Sequence, residues 1–269
     1  MNRDQTISEQ SSSAMPDMPA ELPQRIITLA MDASISQLVN AIAHQINNSL
    51  TPILGYSQLL REIGMAGPDN DLYLQRISGE AENLTQLVQN LLAFTRRRNT
   101  GPEMVHINAL LKEAVTLQTY EIVKRDIAVQ LDLAPDLPPT MLNPFQTQVA
   151  FLNIIQNAFQ AIAERGAEGT ITIRTGQVQS TAERETCLLV EFTDDGPGMQ
   201  PEVKDKVFEP FFTTKSDARG PLPGLGLTVC RHVIGEQAGK VSIQSAVGEG
   251  TSVFLELPVR RLPLGSLTD

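Results

Sequence analysis

Two long helical patterns joined by a short turn constrain the fold of this chain most. Between residues 25 and 64, apolar side chains recur at steps of three and four, which is the spacing of one face of an α-helix. They are Ile35, Leu38, Val39, Ile42, Ile46, Leu50, Ile53, Leu54, Leu60 and Ile63. A turn containing Gly and Pro follows at 64–71, and a second apolar stripe covers 72–92 before three arginines and Gly101-Pro102 end it. Because such a hairpin cannot bury both stripes alone, we expect an antiparallel all-α hairpin that forms a dimeric four-helix bundle, and hence a homodimer.

After Gly101 the pattern changes to short strands alternating with helices. We predict strands at 104–107, 127–133, 170–178, 187–193, 240–245 and 251–257, and helices at 108–124, 143–164 and 224–237. This mixed order predicts an α/β sandwich with one sheet and helices on one face. We therefore divide the chain into a disordered leader (1–24), the helical hairpin (25–100), the sandwich (101–260) and a tail (261–269).

Charge and composition exclude several classes of function. A net charge of -10, no Trp and 4% aromatic residues argue against a nucleic-acid partner, because charge repels phosphates and few rings could stack on bases. No stretch approaches the ~18 apolar residues of a membrane span and no signal peptide is visible, so we expect no membrane insertion and a cytoplasmic location. The two cysteines, Cys187 and Cys230, lack metal-ligand spacing and read as buried free thiols.

Two glycine-rich stretches of the second region suit a ligand. In DDGPGM, Asp194, Gly196 and Gly198 follow an apolar strand, where glycine lets the backbone approach a ligand and a carboxylate can accept from an exocyclic amine. A tight turn explains this stretch equally well. The GLGL stretch, Gly224 to Leu227, precedes a helix, and backbone N–H groups there suit a polyphosphate. Taken alone, a GxG before a helix is a weak signal because it is common.

A pair of asparagines stands out on an otherwise apolar helix. In NIIQNAFQAI, Asn153 and Asn157 lie four residues apart and share one helix face. Buried amides cost free energy unless they have partners, and amide oxygens are competent ligands for Mg²⁺. Helix capping or hydrogen bonding between helices is the alternative explanation for each amide.

Together and in this order, these motifs resemble the ATP-binding domain of sensor histidine kinases, which is part of the wider GHKL (Bergerat-fold) ATPase class. The matching blocks are NIIQNAFQAI, DDGPGM, VFEPFFTTK, GLGLTVCRHVI and GEGTSVFLELP, within residues 104–258. The resemblance implies that Asn157 holds Mg²⁺ and that Asn153 contacts the phosphate end of ATP. It also implies an adenine pocket made by Asp194, Gly196, Gly198 and Thr251.

The same resemblance assigns the phosphate-binding loops. Residues 208–223 would form a mobile lid with Lys215 near the phosphates. The GLGL turn, made of Gly224, Leu225, Gly226 and Leu227, would cradle the phosphates. Gln160 stands where many family members have a basic residue, which leaves Lys215 as the main side-chain cation.

The first helix carries a second match to the same family. His44-Gln45-Ile46-Asn47-Asn48-Ser49-Leu50 resembles the histidine box, H-E-x-x-N-P-L, of the dimerisation and histidine phosphotransfer domain. At about 100° per residue, His44 lies ~200° from Ile42 and from Ile46, so it points away from the apolar stripe. Asn48, one turn later, shares its face. A lone exposed histidine is ordinarily a solvated side chain, but an ATP domain after it favours a chemical role.

The resemblance implies that neutral His44 attacks the γ-phosphoryl group of Mg·ATP and forms a phosphoramidate. Imidazole suits this role because its ordinary pKa, about 6.5, leaves it mostly unprotonated at neutral pH. The phosphoryl group would then pass to an aspartate on the receiver domain of a response regulator. With only a short leader, we expect sensing to come from a separate sensory protein, from the bundle, or from a region outside this chain. The alternative function is a nucleotide-binding scaffold, or a phosphatase-biased pseudokinase with little self-phosphorylation.

Two positions of the histidine box depart from the family pattern. Gln45 replaces the usual acid and cannot accept the imidazole proton, so we expect slow self-phosphorylation. Asn48 stands where family members carry the group that orients water for hydrolysis of phosphoaspartate, which favours phosphatase activity. Ser49 replaces the usual proline and Pro52 follows it, so the carbonyl of Asn48 loses its partner and the expected bend moves one turn along.

Overall fold

The computed structural model describes residues 24–63, 69–96, 101–166, 168–179, 185–214 and 224–260 of the 269-residue chain. The predicted leader and tail, except for Gln24, and the turn at 64–68 lie outside the described residues.

The hairpin consists of α1 (Gln24–Ile63) and α2 (Asn70–Arg96). The rings of Tyr56, near the end of α1, and Tyr73, in the first turn of α2, stack with centroids 5.6 Å apart. This contact next to the turn fits two helices that run antiparallel along one another. Pro52 lies inside α1, which continues through it.

The second region contains β1 (Glu103–Val105), α3 (Ile107–Leu117), α4 (Thr119–Lys124), β2 (Ile127–Leu133), β3 (Thr140–Leu142), α5 (Pro144–Arg165), β4 (Gly169–Gln179), β5 (Thr186–Asp194), α6 (Pro201–Lys204), α7 (Gly226–Glu236), β6 (Lys240–Ala246) and β7 (Gly250–Pro258). The main sheet has the order β2-β4-β5-β7-β6, in which β2 and β4 are parallel and the other pairs antiparallel. β1 and β3 form a separate antiparallel pair. The predicted fold class, a helical hairpin followed by an α/β sandwich, is confirmed.

The core lies between the main sheet and the helices α3, α5 and α7. In β5, alternate residues Leu188, Val190 and Phe192 are buried, as the period of two requires for one face of a strand. Phe192 contacts Phe151 of α5, with ring centroids 5.6 Å apart. Asp194 continues the same alternation and is 7% exposed, so the strand directs this carboxylate toward the helical layer.

The single helix predicted at 108–124 is wrong. The backbone leaves the helical region at Gln118, with φ -103° and ψ 4°, and divides the segment into α3 and α4. α3 buries an apolar face, whereas none of the residues of α4 is buried. The buried face of the segment therefore ends with α3, whereas α4 only packs Ile122 partly buried against the core.

Both cysteines are free and buried, as predicted. Burial raises the pKa of the Cys230 thiol from 9.0 to about 12, so this thiol stays protonated and inert near neutral pH. None of the helices in the described ranges is long and apolar enough to cross a membrane.

Candidate nucleotide site and phosphoacceptor helix

The DDGPGM turn folds back on the carboxylate that ends β5. The Asp194 Oδ1 atom accepts a hydrogen bond from the backbone N–H of Gly196, at 3.0 Å. A Cβ on Gly196 would lie 2.9 Å from the Cβ of Ala161 on α5, so glycine allows the turn to approach that helix. The predicted adenine-binding carboxylate thus sits in a narrow gap between the sheet and α5.

Glycines in the left-handed region bring three strand ends together beside Asp194. Gly198 has a φ of +67°, and a Cβ there would overlap the carbonyl oxygen of Ala246 at the end of β6. Gly250 has a φ of +82°, and a Cβ there would overlap the carbonyl oxygen of Asp194. Gly250 lies in the matching block GEGTSVFLELP, and its GEG context is typical of a turn with a positive φ.

The predicted neighbour of the adenine site does lie beside Asp194. Thr251 of β7 is directly opposite Asp194 of β5 in the strand register. Its hydroxyl is 3.0 Å from the hydroxyl of Ser245, which in turn donates to the carbonyl of Gly250 at 2.8 Å. Ser245 was missed because its place depends on the pairing of β6 with β7.

The two asparagines of α5 face the first residue of α7. A Cβ on Gly226 would lie 3.5 Å from Asn153 Oδ1 and 3.7 Å from Asn157 Nδ2. Asn153 donates through Nδ2 to the carbonyl of Val149, at 3.0 Å. The structure therefore brings together the asparagine motif and the GLGL motif, which lie about 70 residues apart in the sequence. Gln160 lies further along α5 and is half-buried.

The donors at this end of the site fit Mg²⁺ held chiefly by a substrate. Within the described ranges, no group of three His, Cys, Asp or Glu side chains could hold a metal ion. Side-chain amides are hard oxygen ligands, and Mg²⁺ commonly keeps several waters and shares phosphate oxygens. Asn157 offers one such amide, beside Gly226 at the start of α7.

Two contacts fix the position of the GLGL turn: one residue is buried in the core, and another packs against the backbone of Phe211. Leu225 is 2% exposed and anchors the turn in the core, whereas Leu227 is half-buried. Gly224 has a φ of +76°, and a Cβ there would lie 2.5 Å from the carbonyl carbon of Phe211. The backbone at Phe211 therefore meets Gly224 closely. Lys215 and the remainder of the predicted lid up to residue 223 lie outside the described residues.

A further pair of side chains fixes the residue at which the predicted lid begins. The carbonyl of Phe208 accepts from Thr228 Oγ1 at 3.3 Å and from Arg231 Nη2 at 3.1 Å. The Arg231 guanidinium also lies 5.2 Å from the centroid of the Phe208 ring, and partial burial lowers its pKa from the usual value. Sequence reasoning assigned no role to Thr228 or Arg231, because nothing local links α7 to Phe208.

The phosphoacceptor candidate lies in the middle of α1. The side chains of His44 and Gln45 lie outside the described part of the structure, so the predicted direction of His44 stays a prediction. Asn48 is exposed one turn later. Nearer the start of α1, Ser34 Oγ lies 3.0 Å from Asn153 Oδ1 and donates to it. His44 follows Ser34 by ten residues, so its backbone lies about 15 Å further along the helix axis.

Comparisons with known proteins agree with both motif sets. Residues 142–261 match the family of histidine kinase-, DNA gyrase B- and HSP90-like ATPases, and residues 34–100 match the His Kinase A (phospho-acceptor) domain. The catalytic domain of histidine kinase ThkA superposes with a TM-score of 0.51 at 26% identity, over 60% of this chain and 100% of that chain.

Sequence relatives cover most of this chain. It is 31% identical over 250 residues to the sensory histidine kinase/phosphatase NtrB of Vibrio alginolyticus, covering 91% of this chain and 68% of that protein. It is 30% identical over 248 residues to the signal transduction histidine-protein kinase AtoS of Escherichia coli, covering 92% of this chain and 38% of that protein. The chain thus spans less than half of AtoS. These matches, together with the site geometry, show that the chain belongs to the sensor histidine kinase family.

Proposed function

We propose that this chain transfers the γ-phosphoryl group of ATP to His44 and from there to an aspartate of a response-regulator receiver domain. Residues 101–260 bind the nucleotide and residues 25–100 present the histidine. The observation that carries this proposal is that Gly226 lies beside Asn153 and Asn157, at one end of a site whose other end is Asp194.

Each end of the nucleotide has chemically suitable partners in the proposal. The Asp194 carboxylate accepts from the adenine amine, in the pocket made by Gly196, Gly198 and Thr251. At the other end, the backbone N–H groups of the GLGL turn at the start of α7 bind phosphate oxygens, helped by the partial positive charge of a helix N-terminus. Asn153 contacts the same phosphates, and Lys215 adds a cation.

Asn157 would hold Mg²⁺ through its amide oxygen, a hard ligand of the kind that Mg²⁺ prefers. When bound, Mg²⁺ neutralises charge on the β- and γ-phosphate oxygens. This leaves the protein the tasks of positioning the γ-phosphorus and keeping His44 in line with the leaving group.

In the phosphoryl transfer step, an unprotonated ring nitrogen of His44 forms a bond to the γ-phosphorus. The bond from that phosphorus to the oxygen bridging the β-phosphate breaks, and ADP leaves with the electron pair. The proton on the other ring nitrogen passes to solvent, because the neutral amide of Gln45 cannot take it up. In the second step, a carboxylate oxygen of the receiver domain forms a bond to the phosphorus and the bond from that phosphorus to the ring nitrogen breaks. The ring nitrogen keeps the electron pair, and a proton taken up from solvent regenerates neutral His44.

We further propose that two copies of the chain associate through the hairpin. Leu50 and Leu54 of α1, and Leu74 and Val88 of α2, are exposed, and the two residues of each pair share one face of their helix. A second hairpin would bury this apolar surface and complete a four-helix bundle.

Phosphatase activity on the phosphorylated receiver domain is a second activity of the same helix. Asn48 is exposed, so its amide can orient a water molecule toward a phosphoaspartate. The name of the relative NtrB describes that protein as both a kinase and a phosphatase. Because position 45 carries no acid, self-phosphorylation is slow, and the phosphatase activity on the receiver domain outweighs the kinase activity.

The proposal is tested by incubating the chain with γ-radiolabelled ATP and Mg²⁺, with His44→Gln as the control variant. We expect a label that is labile in acid, stable in base and absent from the variant. Nucleotide binding without any label would instead favour a scaffold without kinase activity. A label of equal intensity on the variant would place the phosphoryl group on another residue.

A further inference from the structure

The first half of α1 lies against the phosphate end of the nucleotide site. The Ser34 hydroxyl donates to Asn153 Oδ1 at 3.0 Å and lies equally close to the carbonyl of Ala30 within its own helix. Asn153 and Gly226 are neighbours, so this contact is made where the GLGL turn meets the asparagine pair.

The contact is part of a larger apolar interface. Ala30, Leu38 and Ile42 of α1 are 3%, 3% and 1% exposed and belong to the same core as residues of α5 and α7. These positions, with Ser34 between them, recur at steps of four along one side of the helix. Ala30 and Ser34 are small, which lets α1 approach α5 closely enough for the hydroxyl to reach the amide.

The docked helix and the nucleotide need the same side chain, that of Asn153. In the proposed site Asn153 donates to phosphate oxygens through Nδ2, whereas in the structure its Oδ1 accepts from Ser34 and its Nδ2 donates to the carbonyl of Val149. The docked arrangement also separates the reacting groups, since His44 lies about 15 Å along the axis from Ser34. Phosphoryl transfer requires approach to about 3–3.5 Å. This arrangement therefore suits neither the binding of ATP nor its reaction with His44 of the same chain.

We propose that residues 27–42 of α1 form an autoinhibitory segment that occupies the phosphate end of the nucleotide site, so that Mg·ATP and the docked helix exclude each other. The inference rests on the proposed function of that site. It adds that the apparent affinity for ATP is set by the fraction of molecules whose α1 is undocked. A signal that pulls α1 away would then raise nucleotide affinity and free His44 in the same movement.

The first test uses Ser34→Glu, with Ser36→Glu as the matched control. A glutamate at position 34 is too large for the gap beside Asn153, whereas Ser36 is exposed and its hydroxyl bonds only within α1. The dissociation constant of a fluorescent ATP analogue is measured with Mg²⁺ on the full chain. If about 10–30% of molecules are undocked, we expect Ser34→Glu to bind about three- to tenfold more tightly, because apparent affinity scales with the competent fraction. Ser36→Glu should bind as the unaltered chain does.

The second test measures the undocking of α1 by the accessibility of a cysteine introduced into it. Ser34→Cys keeps the small side chain in place, and both native cysteines are buried. We expect saturating Mg·ATP to accelerate maleimide labelling of Ser34→Cys severalfold and to leave the exposed control, Ser36→Cys, unchanged.

The possible outcomes separate the two proposals. Equal ATP affinity in all glutamate variants, or labelling of Ser34→Cys that nucleotide slows or leaves unchanged, overturns the autoinhibitory segment alone. Weaker binding by Ser34→Glu also overturns it. The absence of nucleotide binding in every variant overturns both this inference and the proposed kinase function.

Discussion

At the scale of single residues, the position after the phosphoacceptor sets how readily His44 reacts. Gln45 orients a ring by hydrogen bonding but takes up no proton. The adenine and magnesium roles are filled by residue types suited to them, the Asp194 carboxylate and the amide of Asn157. Gln45 is therefore the residue at which we expect the rate of this kinase to be limited.

Replacing Gln45 with Glu should increase the initial rate of ATP-dependent labelling of His44 by about tenfold or more, since a positioned base commonly contributes ~10²–10⁴-fold. Asn47→Asp is the control, because it adds the same charge to an exposed position of α1 nearby. An unchanged rate in Gln45→Glu would mean that proton uptake does not limit the reaction.

Gly198 is the residue of the adenine pocket whose backbone tolerates substitution least. Gly198→Ala should lower stability by about 1–3 kcal/mol, because the side chain is strained at a φ of +67° and overlaps the carbonyl of Ala246. It should also weaken ATP binding by moving the turn that carries Asp194. Gly176→Ala is the control, since a Cβ there meets nothing within 4 Å. Thermal unfolding and ATP titration would measure both effects, and a Gly198→Ala protein as stable as the control would contradict the argument.

At the scale of elements, the length and periodicity of a helix or strand decide whether its boundaries can be predicted from the sequence. α1, α5 and the buried strand β5 begin and end within two residues of their predicted positions, because each has a sustained period of 3.6 or 2. The break at Gln118 and the strand β3 were missed. Both depend on packing between distant segments, and a three-residue strand paired with β1 carries no period of its own.

The residues of the candidate site also fall into two groups, those that the sequence predicts and those that it does not. Asp194, Gly196, Asn157 and Gly226 lie in contiguous motifs, and such motifs are visible in one sequence. The contact of Ser34 with Asn153 joins residues 119 positions apart, and Arg231 reaches Phe208 across 23 positions. No local signal predicts either contact, since each exists only once the helices have packed.

The exposed leucines of the hairpin lead to a prediction about assembly. Leu54→Glu should raise the dissociation constant of the dimer about tenfold or more, because an interface carboxylate without a partner costs several kcal/mol to desolvate. Leu54→Met is the control, because it keeps an apolar side chain of similar volume at the same position and should have little effect. Light scattering over a dilution series measures the association. If Leu54→Glu dimerises as the unaltered chain does, Leu54 lies outside the dimer interface and the proposed association through this surface is wrong.

At the scale of the whole molecule, α1 belongs to two structures at once. Its second half pairs with α2 and carries apolar residues for a second copy, whereas its first half is buried against the nucleotide-binding region. The same helix therefore connects the phosphoacceptor, the proposed dimer and the phosphate end of the nucleotide site. A displacement along or away from that site changes all three, which gives an input signal a direct mechanical route to the chemistry.

The central claim is that ATP phosphorylates His44, and the most direct measurement is to locate the phosphoryl group. The chain is incubated with Mg·ATP, digested at neutral or basic pH, and the fragments are sequenced by mass spectrometry. We predict the added mass of one phosphoryl group on the fragment spanning α1, carried by His44 and lost on brief acid treatment. A modified serine, threonine or aspartate, or an unmodified His44 in a chain that binds and consumes ATP, would contradict the account.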